Sequence, residues 1–166
     1  MTTERQRTVT WADPGQTATL ARTTPGLDLL RAIASGEIPP PPIAELIGAR
    51  MVSADKGSVV FTFEPAEFHY NPIGSVHGGV HATMLDTAAG CAVHSTLPAG
   101  TGYTSLDLAV RFLRPITTDT GTVTCVGSVV QQGRRTALAE ARLVDGAGRL
   151  LATATSTCLI LAEEKS

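Results

Sequence analysis

The most constraining stretch of this chain is a helix with no polar face. From about Gly78 to Thr96 it carries Val80, Met84, Leu85, Ala88, Ala89, Cys91, Ala92 and Val93, and Leu97-Pro98-Ala99-Gly100 ends it. A helix that is apolar nearly all round has to be enclosed. The segments around it read as strands. Residues 47–54 and 57–64 precede it, joined by Asp55-Lys56-Gly57. Val59, Phe61 and Phe63 alternate with Val60, Thr62 and Glu64, the two-residue period of a half-buried strand. Four further strand-like runs follow at about 102–113, 121–132, 135–145 and 149–161, with turn residues at Gln132-Gly133 and Asp145-Gly146-Ala147-Gly148. Strands clustered with one long helix predict an α+β domain, a curved antiparallel sheet wrapped around a central helix.

The front of the chain reads differently. Residues 1–24 are rich in Thr, Gln and Ala with little periodicity, which predicts a mobile or loosely docked arm. Pro25-Gly26 followed by Leu27, Leu29, Leu30 and Ile33 predicts a short amphipathic helix ended by Ser35-Gly36. The prolines 39–42 then act as a stiff spacer. The chain divides into an N-terminal extension, 1–45, and one domain, 46–162.

Several partner classes fall away. A chain of 166 residues builds one core. A net charge of -2 and 4% aromatic residues give neither a phosphate-binding excess nor base-stacking platforms, so nucleic acid is not expected as a partner. No run approaches the roughly 18 apolar residues of a membrane span, and the polar start shows no signal peptide. Cys91, Cys125 and Cys158 are odd in number and form no CxxC pair, as expected of reduced thiols in a reducing compartment. A cytoplasmic location and no membrane partner are the expectation.

The chemistry gathers at Asn71-Pro72-Ile73-Gly74-Ser75-Val76-His77-Gly78-Gly79 and at Asp86. A carboxylate between Leu85 and Ala88 in an apolar helix is costly unless something pairs with it or uses it. Its helical neighbours Thr83 and Gly90 are small, which would leave a groove where a backbone or ligand could approach. A structural carboxylate receiving hydrogen bonds from a neighbouring strand fits Asp86 equally well on its own. Gly78 and Gly79 open the same helix, where the first N–H groups lack internal partners and the dipole attracts negative charge. Glycine there lets a carbonyl come close, the chemistry of an oxyanion hole; a tight turn is the plain alternative. His77 and His81 stand four apart, a spacing that can hold zinc. No Cys or further His lies at a zinc-site spacing, so no metal is expected. His69 and His94 make no functional case. Asn71 suits turn chemistry or a hydrogen bond to a carbonyl or water. Among the arginines, Arg134-Arg135 at a strand junction is the better pair for an anionic ligand.

The run from Asn71 through His77-Gly78-Gly79 to Leu85-Asp86-Thr87-Ala88 resembles the motif of PaaI-type hotdog thioesterases, relatives of phenylacetyl-CoA and 4-hydroxybenzoyl-CoA thioesterases. Asp107-Leu108 with Phe112-Leu113-Arg114-Pro115, Gln132 to Ala137, and Asp145-Gly146 through Ala152 resemble its later strands, so the likeness covers roughly residues 46–160. The resemblance implies a hotdog fold and hydrolysis of an acyl-CoA thioester. It implies that the Gly78 N–H polarises the thioester carbonyl and that Asp86 acts as general base on water, or as nucleophile. It further implies that Asn71 and His77 help hold the carbonyl or water, and that Ser105 touches the water, with Thr104 the alternative one register away. Gly79, Gly133, Arg134 and Arg135 would meet CoA, which is part of the substrate; no separate cofactor is implied. The substrate would lie between subunits of a homodimer or dimer of dimers, with Asp86 from the chain opposite Gly78 and Asn71. A non-catalytic acyl-CoA-binding protein is the alternative, and an acyl-CoA dehydratase a more distant one. The long loop 97–102 and the extension depart from the common domain and leave the acyl group open.

Overall fold

The computed structural model describes residues 3–162. Seven strands form one antiparallel sheet: β1 (Arg50–Asp55), β2 (Ser58–Phe63), β3 (Thr101–Ser105), β4 (Ala109–Phe112), β5 (Val123–Gln132), β6 (Thr136–Val144) and β7 (Leu150–Ala162). Their order is β1-β2-β5-β6-β7-β3, with β4 also paired to β7. Three helices precede β1: α1 (Pro14–Thr23), α2 (Gly26–Ser35) and α3 (Pro42–Ile47). The long helix α4 (Gly78–His94) packs against β2, β3, β4, β5, β6 and β7, the hotdog arrangement.

Enclosure of α4 follows from its composition. Met84, Leu85, Ala88, Ala89, Ala92 and Val93 are each 0% exposed. Each large side chain among them contributes about 1.5–3 kcal/mol by leaving water. Its alanines let the sheet come close, and Gly127 on β5 takes that furthest. A Cβ at Gly127 would lie 2.1 Å from the carbonyl oxygen of Ala88. The end of the helix is tied as well. The Ser95 hydroxyl donates to the Ala92 carbonyl and accepts from the Gly57 N–H in the β1–β2 turn, both at 2.7 Å.

The front of the chain is more ordered than its composition suggests. Within the expected arm, α1 forms because Asp13 caps it, accepting from the Gly15 N–H at 2.9 Å, and Pro14 suits the first helical position. It buries none of its residues, so the signal was a cap rather than an apolar face. Helix α2 stops at Gly36, whose φ of 81° is left-handed. It is seated hard on the core. Gly26 donates to the Leu97 carbonyl at 3.1 Å, and a Cβ at Gly26 would lie 1.9 Å from the His94 carbonyl oxygen. Arg31 reaches the Ala54 carbonyl and Asp55. The proline run ends inside a helix, because Pro42 occupies the first turn of α3, where its missing N–H is no loss.

The strand expected at 102–113 is two strands. Between the pairs Ser105–Cys158 and Ala109–Thr155, this side spends four residue steps where β7 spends three. The surplus is a bulge at Asp107. Its carboxylate accepts from the Thr157 N–H at 2.9 Å, and its carbonyl accepts from the Ser156 hydroxyl at 2.8 Å. The side chain replaces the ladder bond that the bulge breaks.

Candidate active site

Asp86 projects from the middle of α4 toward β3. The Ser105 hydroxyl donates to Asp86 Oδ1 at 2.9 Å, and Oδ2 has no partner among the described residues. Strand alternation decides which neighbour can do this. Tyr103 and Ser105 face the helix, whereas Thr104 is exposed on the other side. Thr104 is therefore outside the Asp86 cluster, contrary to the alternative register. The groove expected beside Gly90 is filled by Tyr103, since a Cβ at Gly90 would meet its hydroxyl at 2.7 Å. Burial, with the charges of Cys91, Cys158 and Asp86, holds the Tyr103 phenol well above its ordinary pKa. Burial and the Asp86 charge push the Cys91 thiol up to about 12. Neither ionises near neutrality.

A second group of residues forms around the start of α4. His69 Nε2 donates to the Ile47 carbonyl and Nδ1 accepts from the Ala66 N–H, both at 3.0 Å, which fixes a neutral ring. The His69 carbonyl accepts from the His77 N–H at 2.8 Å, and the Ile116 carbonyl from the Val76 N–H at 2.8 Å. His69 thus anchors the loop that delivers the helix start. Asn71 is largely engaged within that loop. Its Oδ1 accepts from the N–H groups of Ile73 at 3.0 Å and Ser75 at 3.2 Å, and its Nδ2 donates to the Ser75 hydroxyl at 3.1 Å. One Nδ2 hydrogen remains for a ligand. His77 is the cap of α4; its Nδ1 accepts from the Gly79 N–H at 2.8 Å. The Gly79 donor is thereby used, and the Gly78 N–H has no acceptor among the described residues. The Phe112 ring stands over Gly78, 3.1 Å from where a Cβ would be.

In the sequence, His81 stands out only as a zinc partner for His77. It is 3% exposed, and neither ring nitrogen has a hydrogen-bond partner among the described residues. Burial, then the nearby His77, lowers its pKa, so the ring is neutral. It lines a concavity of about 380 Å³ together with Asn71, Gly78, Phe112 and Arg114. Its burial depends on Phe112, 5.6 Å away between ring centres, which no local pattern announces.

These two groups are apart within one chain. Asp86 lies eight residue steps along the helix from Gly78, a rise of about 12 Å. The β5–β6 hairpin, Gly133 to Arg135, is exposed. It lies near the Ser105 row of the sheet, where Ser105, Cys158, Ala137 and Gln132 pair in succession. Arg134 and Arg135 make no ion pair among the described residues.

Residues 73–152 match the family described as the thioesterase superfamily. A protein of Halobacterium salinarum is 41% identical over 73 residues, covering 43% of this chain and 46% of its own length. Human acyl-coenzyme A thioesterase 13 is 31% identical over 108 residues, covering 64% of this chain and 76% of its own. Among solved structures, a phenylacetic acid degradation-related protein of Ralstonia eutropha superposes with a TM-score of 0.71. It is 30% identical, with 78% of this chain and 98% of that one covered.

Proposed function

Since the chain belongs to the thioesterase superfamily, we propose that it hydrolyses an acyl-CoA thioester to the free acid and CoA. The observation that carries the reading is the Asp86 carboxylate, oriented through Oδ1 by Ser105 with Oδ2 left free. Oδ2 takes a proton from water as the water oxygen attacks the thioester carbonyl carbon. The resulting oxyanion lies on the Gly78 N–H, supported by the helix dipole. Both ring nitrogens of His81 are closed off from solvent, so its neutral N–H joins the site when the exposed Phe112 ring swings aside, and Asn71 adds the remaining amide hydrogen. Collapse of the intermediate breaks the C–S bond, and the thiolate recovers the proton from Asp86. Arg134 and Arg135 serve the phosphates of CoA.

A rise of about 12 Å keeps Gly78 and Asp86 of one chain from meeting at the same carbonyl. The catalytic unit is therefore a homodimer, in which Asn71, Gly78 and His81 of one protomer face Asp86 and Ser105 of the other. The sheet edge at β3 and β4 suits such pairing. It is an open edge, and Leu106 and Phe112 there are 58% and 57% exposed. A thiol-release assay over acetyl, medium-chain, long-chain and phenylacetyl CoA esters tests the activity, with light scattering for the dimer. A chain that binds these esters and releases no thiol from any of them would be a binding protein, and a monomer at micromolar concentration would remove the shared site.

A further inference from the structure

A cavity of about 360 Å³ lies between the extension and the core, walled by α2, α3, β1, β2 and one flank of α4. Small-ligand pockets begin at about 300 Å³. Leu30, Ile33, Pro40, Ile43, Met51 and Phe61 are among its apolar lining. Its charged lining residues, Glu45 and Arg50, pair with each other at 2.9 Å, so neither is free for an ionised guest. The cavity does not depend on a mobile arm. Gly26 against His94, and Arg31 against Ala54, fix α2 in place.

The side of the cavity formed by α4 is made by Thr87 and Cys91. Thr87 follows Asp86 directly. Cys91 stands one helical turn beyond Thr87 on the same face. The cavity thus borders the stretch of α4 that carries Asp86. Most of its wall comes from residues before 73, outside the segment that matches the superfamily.

Resting on the thioesterase reading, we propose that this cavity holds the acyl group of the substrate, and that the acyl group is an uncharged, apolar chain of medium length. An acetyl group would leave the space unfilled, and a chain bearing a terminal carboxylate would find no free cation there. The extension would then set substrate length while the common domain supplies the chemistry.

The test uses the full chain and two opposing variants. Ala34→Leu adds bulk to the cavity from α2, and Ile33→Ala removes bulk from the same helix. Thiol release is measured with acetyl-, hexanoyl-, octanoyl-, dodecanoyl- and adipoyl-CoA, with circular dichroism to establish that each variant is folded. Wild type should prefer hexanoyl- or octanoyl-CoA over acetyl- and adipoyl-CoA. Ala34→Leu should lower kcat/KM for octanoyl-CoA about tenfold or more while acetyl-CoA changes less than about twofold, and Ile33→Ala should shift the preference toward longer chains. If only one variant folds, its shift alone decides. Hydrolysis with the same length profile in wild type and folded variants overturns the inference and leaves the thioesterase reading intact. An unshifted profile with an altered oligomeric state assigns the cavity to a contact between copies of this chain instead. Absence of hydrolysis of any ester by wild type overturns the thioesterase reading, and this inference with it.

Discussion

The Ser105 hydroxyl and the Asp86 carboxylate are joined at 2.9 Å across the gap between β3 and α4, and the Asp107 bulge begins just past Ser105. A strand that bends there ends its regular pairing where Ser105 faces the helix. Replacing Asp86 with Asn keeps the size and removes the proposed base. The expected loss in kcat is about a hundredfold or more, with the circular dichroism spectrum and dimerisation unchanged. Ser105→Ala leaves the carboxylate in place but unoriented, so its loss should be smaller. Wild-type rates in Asp86→Asn would return Asp86 to a structural role.

His81→Leu separates function from packing. A buried ring with both nitrogens unpartnered costs stability, about 1 kcal/mol or more. The leucine should raise the urea midpoint and, at the same time, lower kcat/KM about tenfold. A purely structural histidine would give the gain in stability without the loss in activity.

Arg134→Ala and Arg135→Ala address CoA. Whichever arginine meets a phosphate, its removal should raise KM and leave kcat nearly unchanged, the pattern of lost uniform binding. Added salt should raise KM of wild type more than that of the responsible variant. Equal KM values for all three proteins would place the phosphates elsewhere.

Stability should depend on pH through three histidines that the fold desolvates. Burial is the main cause lowering the pKa of His69, His81 and His94 in the fold. Below about pH 6.5 the unfolded chain binds protons that the folded chain refuses. The stability is thus full above that pH and falls as pH drops toward the folded values. The urea midpoint should decline between pH 7.5 and pH 5, and less steeply in His81→Leu. At more acid pH, Asp145 adds to the loss. Its carboxylate is held below its ordinary pKa chiefly by the Arg149 N–H, and that contribution disappears on protonation.

Much of this fold can be read from the sequence because its decisive signals are local. An apolar α4 demands enclosure, and two-residue alternation places Phe61 and Phe63 inward. A carboxylate among Leu85 and Ala88 stands out for its cost. The missed features depend on residues distant in the chain or on a signal other than hydrophobicity. Helix α1 rests on the Asp13 cap and has no apolar stripe. Proline, read as a spacer, is also a good first residue for a helix, which hid α3. The bulge at Asp107 is stabilised by Ser156 and Thr157 from β7. Tyr103 closes the space over Gly90, and Phe112 buries His81, from strands that local spacing cannot bring to the helix. The cavity under the extension needs α2 and α3 docked before it exists.

The separation of Gly78 from Asp86 along one helix has a genetic consequence. Proline suits the first helical position, so Gly78→Pro would delete the N–H donor and keep the helix, with the exposed Phe112 ring giving way to the added Cβ. Neither Gly78→Pro nor Asp86→Asn should be active alone. In the proposed dimer, with one chain of each kind, both lesions would fall in the same shared site and the other site would be whole. Unfolding the two proteins together and refolding them as a mixture should therefore create activity that neither possesses, approaching about a quarter of wild type when the chains reassort at random. Two defective alleles of this gene would complement one another, as they could not if each polypeptide carried its own complete active site.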